Sequence, residues 1–185
     1  MKLYFVTKNQ GKFEEVARVL SPEITLIKKE IEILEPQIFD VFKISQFKAE
    51  QAFKVLKHPL IVDDTGVYFS CYKNFPGALA RLIYEGLGIE GLMRLLKSCE
   101  DKSGYFLTVI TYYDGKRIKQ FSSKLEGEFK NFKFGHLKEI HLPYNLLFIP
   151  KGRRKCLAEI KQEEKDFYNQ RIDCAMKLKK WLLEI

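Results

Sequence analysis

The aliphatic run Leu60-Ile61-Val62 stops abruptly at Asp63-Asp64-Thr65-Gly66. Such a run suits a strand covered on both faces, and a strand of that kind delivers polar groups to a site at its C-terminal end. Side chains alternate across a strand, so Asp63 and Asp64 are expected to point in opposite directions, with one of them facing a site. Taken alone, the stretch also describes a plain strand-to-turn junction, since Asp-Thr-Gly is ordinary turn chemistry.

The flanking sequence supplies the other layers. Leu3 to Val6 reads as a short buried strand, and Thr7-Lys8-Asn9-Gln10-Gly11-Lys12 leads from it into a helix carrying Phe13, Val16, Ala17, Val19 and Leu20. A loop entering a helix N-terminus offers free N–H groups, to which Thr7, Asn9 and Lys12 add donors and a cation. Either a phosphate cradle or a simple capped helix fits; a Walker A loop does not, because G-x-x-x-x-G-K-S/T is absent. Ile24 to Leu34 reads as a strand broken at Glu35-Pro36-Gln37, and Ile44 to Leu56 as a helix with His58 as its capping residue. Two short helices interrupted by Gly86 and Gly88 are expected between Ala78 and Leu96. Asp114-Gly115 marks a hairpin between β-rich runs. Tyr144 to Ile149 reads as a buried strand, Glu159 to Lys165 as a turn or helix start, and Gln170 to Leu183 as an amphipathic helix.

At 185 residues, with 46% hydrophobic residues, the chain is sized for a single globular domain, 1–185. The formal net charge of +8 suits an anionic partner, nucleotide or nucleic acid, although solvated helix faces also produce it. The basic, aromatic region from Lys130 to Lys138 carries no RRM, KH or helix-turn-helix pattern, so a nucleic-acid-binding module is the weaker reading. Cys71, Cys99, Cys156 and Cys174 form no metal-binding spacing and are expected to be reduced and mostly buried. With no signal peptide or membrane-spanning apolar run, a cytoplasmic location is expected.

Together the motifs resemble the inosine triphosphate pyrophosphatase (Ham1-like) family of non-standard purine nucleoside triphosphate diphosphatases, from Leu3 to about Trp181. Thr7-Lys8-Asn9-Gln10-Gly11-Lys12 with Glu14 and Glu15 resembles the family's T-x-N-x-x-K-x-x-E loop, and Glu35 with Gln37 its P-E-x-Q segment with the proline displaced. Lys48-Ala49 matches a substrate-contacting lysine position. Val62-Asp63-Asp64-Thr65-Gly66 matches E/D-D-S/T-G, and Phe75-Pro76-Gly77 the following F-P-G. Phe148-Ile149-Pro150, Ala158-Glu159 and Glu164-Lys165 fall where the family has F-I-P, A-E-M and E-E-K.

The resemblance implies an α/β, two-lobed fold around a long central mixed sheet with flanking helices, an active-site cleft between the lobes, and homodimers. It implies Mg²⁺-dependent hydrolysis of ITP, dITP or XTP to the monophosphate and pyrophosphate. In that reading Asp64 is catalytic and, with Glu35, holds Mg²⁺. Thr7, Asn9 and the catalytic Lys12 gather phosphates, Lys48 adds charge at phosphate or sugar, and Thr65 contacts substrate. Tyr144, Asn145, Lys165, Gln170 and Arg171 stand toward the base, and Asp63 supports the site.

Two segments depart from the family. His141-Leu142-Pro143-Tyr144-Asn145-Leu146 replaces G-F/W-G-Y/W/F-D-P, and Asn169-Gln170-Arg171 replaces S-H-R. Asn145 offers an amide donor where the family's aspartate only accepts, a mismatch of ~1–3 kcal/mol when buried. A substrate-shifted or inactive nucleotide-binding relative is therefore the alternative.

Overall fold

Alternation along one strand decides where the helices pack. In the computed structural model, which describes residues 1–130, 143–161, 164 and 169–184, Leu60–Phe69 forms strand β3. The other strands are β1 (Lys2–Val6), β2 (Thr25–Lys29), β4 (Phe75–Gly77), β5 (Ser103–Tyr113), β6 (Ile118–Phe129) and β7 (Phe148–Pro150). Helices α1 (Gln10–Leu20), α2 (Val41–Leu56), α3 (Ala80–Lys97) and α4 (Gln170–Glu184) accompany them. The seven strands form one mixed sheet in the order β2-β1-β3-β5-β6-β7, with β4 paired to β3. β1 is parallel to both β2 and β3, whereas β3–β4 and β6–β7 are antiparallel.

The chain divides into two compact units: Met1–Thr65, Thr108–Ser123 and Gln170–Ile185 make the first, Gly66–Leu107 and Lys124–Asn169 the second. The boundary falls inside β3, between Thr65 and Gly66.

In the first unit, Leu3, Phe5 and Ile61 pack with Val16 and Leu20 of α1 and Cys174, Leu178 and Leu182 of α4. Val6, Leu60 and Val62 turn the other way and pack with Ala49 and Ala52 of α2. Each buried aliphatic side chain contributes roughly 1.5–3 kcal/mol, so both faces of β3 are tied to helices. The same period continues into Asp63 and Asp64: Asp63 emerges under α1 and α4, Asp64 under α2. The second unit has its own core, in which Val67, Phe69, Phe106, Phe129 and Phe148 meet Leu92 and Leu96 of α3.

Several expectations are corrected. β2 ends at Lys29, and residues 30–39 form no strand. Tyr144 to Ile149 is not one strand, because Pro143–Leu146 makes a 3-10 turn before β7. An apolar run without periodicity does not separate these alternatives. Of the turn or helix start expected over Glu159 to Lys165, Glu159 ends a 3-10 turn over Leu157–Glu159, and residues 162, 163 and 165 lie outside the described residues. Lys57, not His58, caps α2, with φ 55° in the left-handed region and its N–H donating to the Phe53 carbonyl. The His58 ring lies 5.6 Å from that of Tyr4.

Cys156 and Cys174 are free and buried as expected, whereas Cys71 and Cys99 depart from expectation and form a disulfide. Their Cα atoms lie 5.8 Å apart, within the span of such a bond. The Tyr72 hydroxyl draws the two segments together by donating to the Leu95 carbonyl at 2.8 Å. The two glycine interruptions reduce to one kink in α3, at Gly88, where φ is 63° and ψ −177°. The hairpin at Asp114-Gly115 is present, with φ 91° at Gly115.

Candidate active site

Asn9 starts α1 by accepting from the Lys12 backbone N–H at 3.0 Å, and Thr7 Oγ1 accepts from the Asn9 N–H at 3.1 Å. This is an N-capped helix start, and it fixes the direction in which the Lys12 side chain leaves the helix. The Lys12 ammonium reaches Asp63 Oδ1 at 2.9 Å. From α4, Arg171 Nε donates to Asp63 Oδ2 at 2.7 Å, and its Nη1 donates to Glu15 Oε2 at 2.5 Å. Asp63 is 1% exposed in its side chain, so each oxygen of a fully buried carboxylate receives a cation. Burial opposes its ionisation, but Lys12 and Arg171 outweigh that penalty and hold the carboxyl well below the usual carboxylate range.

The opposite face differs. Lys48 of α2 donates to Asp64 Oδ1 at 2.7 Å and also lies 2.8 Å from Glu35 Oε1. One ammonium is shared by two carboxylates, which brings Glu35 and Asp64 to the same point. Gln51, one turn further along α2, donates to the Leu34 carbonyl at 2.9 Å and pins the irregular segment that carries Glu35. Burial disfavours the Lys48 charge, yet Asp64 and Glu35 hold its pKa above the ordinary lysine value.

Asp64 Oδ2 is buried with no hydrogen-bond partner among the described residues. Burial is the largest influence on this carboxyl; Lys48 opposes it only in part, and the pKa is pushed up to about 6. An acceptor in that condition is suited to a cation or to the proton of a water molecule. Among the described residues no three His, Cys, Asp or Glu side chains gather as a metal cluster. Two carboxylates with one orphaned oxygen fit a hard cation that takes its remaining ligands from water and phosphate, the habit of Mg²⁺.

The remaining residues are distributed as follows. Thr65 Oγ1 shares a hydrogen bond of 2.8 Å with Thr108 Oγ1. Gln170 is half-buried at the first position of α4, directly before Arg171. Tyr144, in the second unit, is 6% exposed, and its hydroxyl donates to the Ala80 carbonyl at 2.7 Å. Asn145 beside it is half-buried. Lys165 lies outside the described residues, as do His141 and Leu142 and most of the Lys130 to Lys138 region.

Sequence reasoning does not single out Glu15 and gives Asp63 only a supporting role. The signal for both was present: Glu15 follows Lys12 by three positions, which places them on one helix face, and alternation turns Asp63 to the face that α1 covers.

Comparison with known proteins finds relatives along nearly the whole chain. A family model described as Ham1 family matches residues 3–181. The dITP/XTP pyrophosphatase of Pyrococcus horikoshii is 35% identical over 190 residues, covering 98% of this chain and 97% of the relative. That of Saccharolobus solfataricus is 32% identical over 185 residues, with 98% and 94% covered. A HAM1 protein of Coxiella burnetii has a similar fold at TM-score 0.87 and 20% identity, with 100% of each chain covered.

Proposed function

The chain belongs to the Ham1 family, and on that premise we propose that it hydrolyses non-canonical purine nucleoside triphosphates, ITP, dITP and XTP, to the monophosphate and pyrophosphate. Relatives covering nearly the whole chain are named dITP/XTP pyrophosphatases and, in Yarrowia lipolytica, an inosine triphosphate pyrophosphatase. The observation that carries the proposal is Asp64: a buried carboxylate with one oxygen on Lys48, the other without a partner among the described residues, and Glu35 at the same ammonium.

Asp64 and Glu35 would hold Mg²⁺, whose contribution when bound is to offset phosphate charge and acidify water. Asp64 Oδ2 orients the attacking water and accepts its proton as the bond between the α and β phosphates breaks. Lys48 favours the ionised form of Asp64 and lends charge to phosphate or sugar. The Lys12 ammonium, Thr7 and the amide N–H donors of Asn9 gather the polyphosphate at the start of α1. Thr65, Gln170, Asn145, Tyr144 and Lys165 are assigned to ribose and base. A homodimer in the cytoplasm belongs to the same reading; no helix among the described residues is long and apolar enough to cross a membrane.

The test is pyrophosphate release from ITP, dITP, XTP, ATP and GTP, with Mg²⁺ and with chelator. Turnover confined to the first three and abolished by chelator is expected. Turnover of none discards the proposal, and equal turnover of all five discards its substrate class.

A further inference from the structure

We propose that Thr111 and Ser45 are positioning residues that act on the reaction through Lys48, by fixing where α2 stands along the sheet. The inference rests on the triphosphatase reading of this site.

The two hydroxyls form a polar tie inside an apolar layer. Thr111 of β5 and Ser45 of α2 are both completely buried, and Thr111 Oγ1 donates to Ser45 Oγ at 2.7 Å. From β6, Gln120 Nε2 donates to Thr111 Oγ1 at 3.1 Å and to the Phe42 carbonyl at 2.9 Å. The start of α2 is thus bonded to two strands. Ile110 and Tyr112 pack toward α1 and α4, so Thr111 between them turns to the α2 face, on which Asp64 also emerges. β5 is the neighbour of β3 in the sheet, so the tie places α2 relative to the strand that carries Asp64. Beyond Lys48 the buried residues of α2 are Ala49 and Ala52, whose methyl groups pack without directional preference. The directional contacts stand at Phe42 and Ser45, and Lys48 follows Ser45 by three residues, about 4.5 Å along the helix axis. Its ammonium must meet Asp64 Oδ1 at 2.7 Å and Glu35 Oε1 at 2.8 Å together, a placement that a small slide of the helix would spoil.

Stability and turnover together separate this role from plain packing. Thr111→Val keeps the shape and strands the Ser45 hydroxyl, so kcat/KM for ITP should fall about fivefold and the melting temperature should drop. Thr111→Ser restores the hydroxyl but loses a buried methyl; kcat/KM should return to within about twofold of the parent while the melting temperature stays low. Ser45→Ala combined with Thr111→Val makes both groups apolar. There the melting temperature should recover most of the way, and kcat/KM should remain about fivefold down. In a Lys48→Met background the further loss from Thr111→Val should shrink to within about twofold, because the residue through which it acts is gone.

Turnover that simply follows melting temperature across the three variants overturns the inference, as does a Thr111→Val effect undiminished without Lys48; both results leave the triphosphatase reading intact. A parent protein that turns over no triphosphate removes the reading and this inference with it. If Thr111→Val does not fold, the doubly apolar variant decides, since it strands no hydroxyl: kcat/KM within about twofold of the parent overturns the inference.

Discussion

Asp63 and Asp64 are consecutive residues of the same type on one strand, yet they are finished differently. Asp63 has a cation on each oxygen, supplied by two helices, and is held ionised despite complete burial. Asp64 has a shared ammonium on one oxygen and, among the described residues, nothing on the other, and burial raises its pKa to about 6. The difference shows that a carboxylate becomes reactive through what its surroundings leave unfinished. A strand's period of two is enough to divide a structural from a chemical role between neighbours, because each residue meets a different helix layer. Like charges on adjacent residues are tolerable here because each face supplies its own countercharge.

The strongest way to break this contrast is Asp64→Asn. The amide keeps the shape but neither takes a proton nor binds a hard cation well, so pyrophosphate release should fall 10²–10⁴-fold, about 3–5 kcal/mol in the barrier. The melting temperature should be unchanged or higher, since a poorly compensated buried charge is removed. Release near the parent rate would end the assignment. Asp63→Ala should do the reverse and act first on stability: it leaves Arg171 and Lys12 without their shared anion, and loss of one member of a buried ion cluster costs about 3–5 kcal/mol. Urea unfolding reads this directly, and a loss below about 1 kcal/mol would mean that the cluster is not what joins α1 and α4 to β3.

The halves of this contrast were unequally legible in the sequence. That Asp63 and Asp64 face opposite ways follows from strand period alone, and the Asn9 start of α1 from capping chemistry. The partners of the two aspartates do not. Lys12 precedes Asp63 by 51 positions and Arg171 follows it by 108, and only the packing of α1 and α4 on the sheet brings them together. The Cys71–Cys99 bond was hidden for the same reason, as it closes 28 residues across the end of β3 and α3 with no spacing motif. Tyr144 to Ile149 reads as one strand because a mostly apolar run reports burial and not backbone shape, which here includes the 3-10 turn Pro143–Leu146.

A pH series on cation-free protein sharpens the comparison, since the two groups act with opposite sign. The Asp64 pKa is raised on folding, so its proton is held more tightly in the folded state. The resulting stability is complete below the unfolded value of about 3.9 and is lost as pH rises through about 6. The parent should therefore lose roughly 2–3 kcal/mol relative to Asp64→Asn between pH 4 and pH 7. The Asp63 pKa is depressed, so its contribution is present above about 3.9 and disappears as pH falls toward the folded value. Parallel stability curves for the parent and Asp64→Asn across this interval would show that burial does not control Asp64.

The smallest effect tests whether the helix start serves only the Asp63 face. Asn9 accepts from the Lys12 N–H, and the first turn so fixed carries Lys12 toward Asp63. Asn9→Ala removes the cap and should cost about 1 kcal/mol, read as a shift in the unfolding midpoint, whereas Asn9→Ser keeps an acceptor and should cost only a few tenths. Both variants lose the amide N–H donors. If those donors contribute to phosphate binding, KM for ITP should rise in both by a similar factor, while stability separates them. If KM instead follows stability and is unchanged in Asn9→Ser, Asn9 works through the cap alone and the polyphosphate depends on Lys12 and the backbone N–H groups. In that event the Asp63 face is wholly a scaffold for one ammonium, and the contrast with Asp64 becomes sharper.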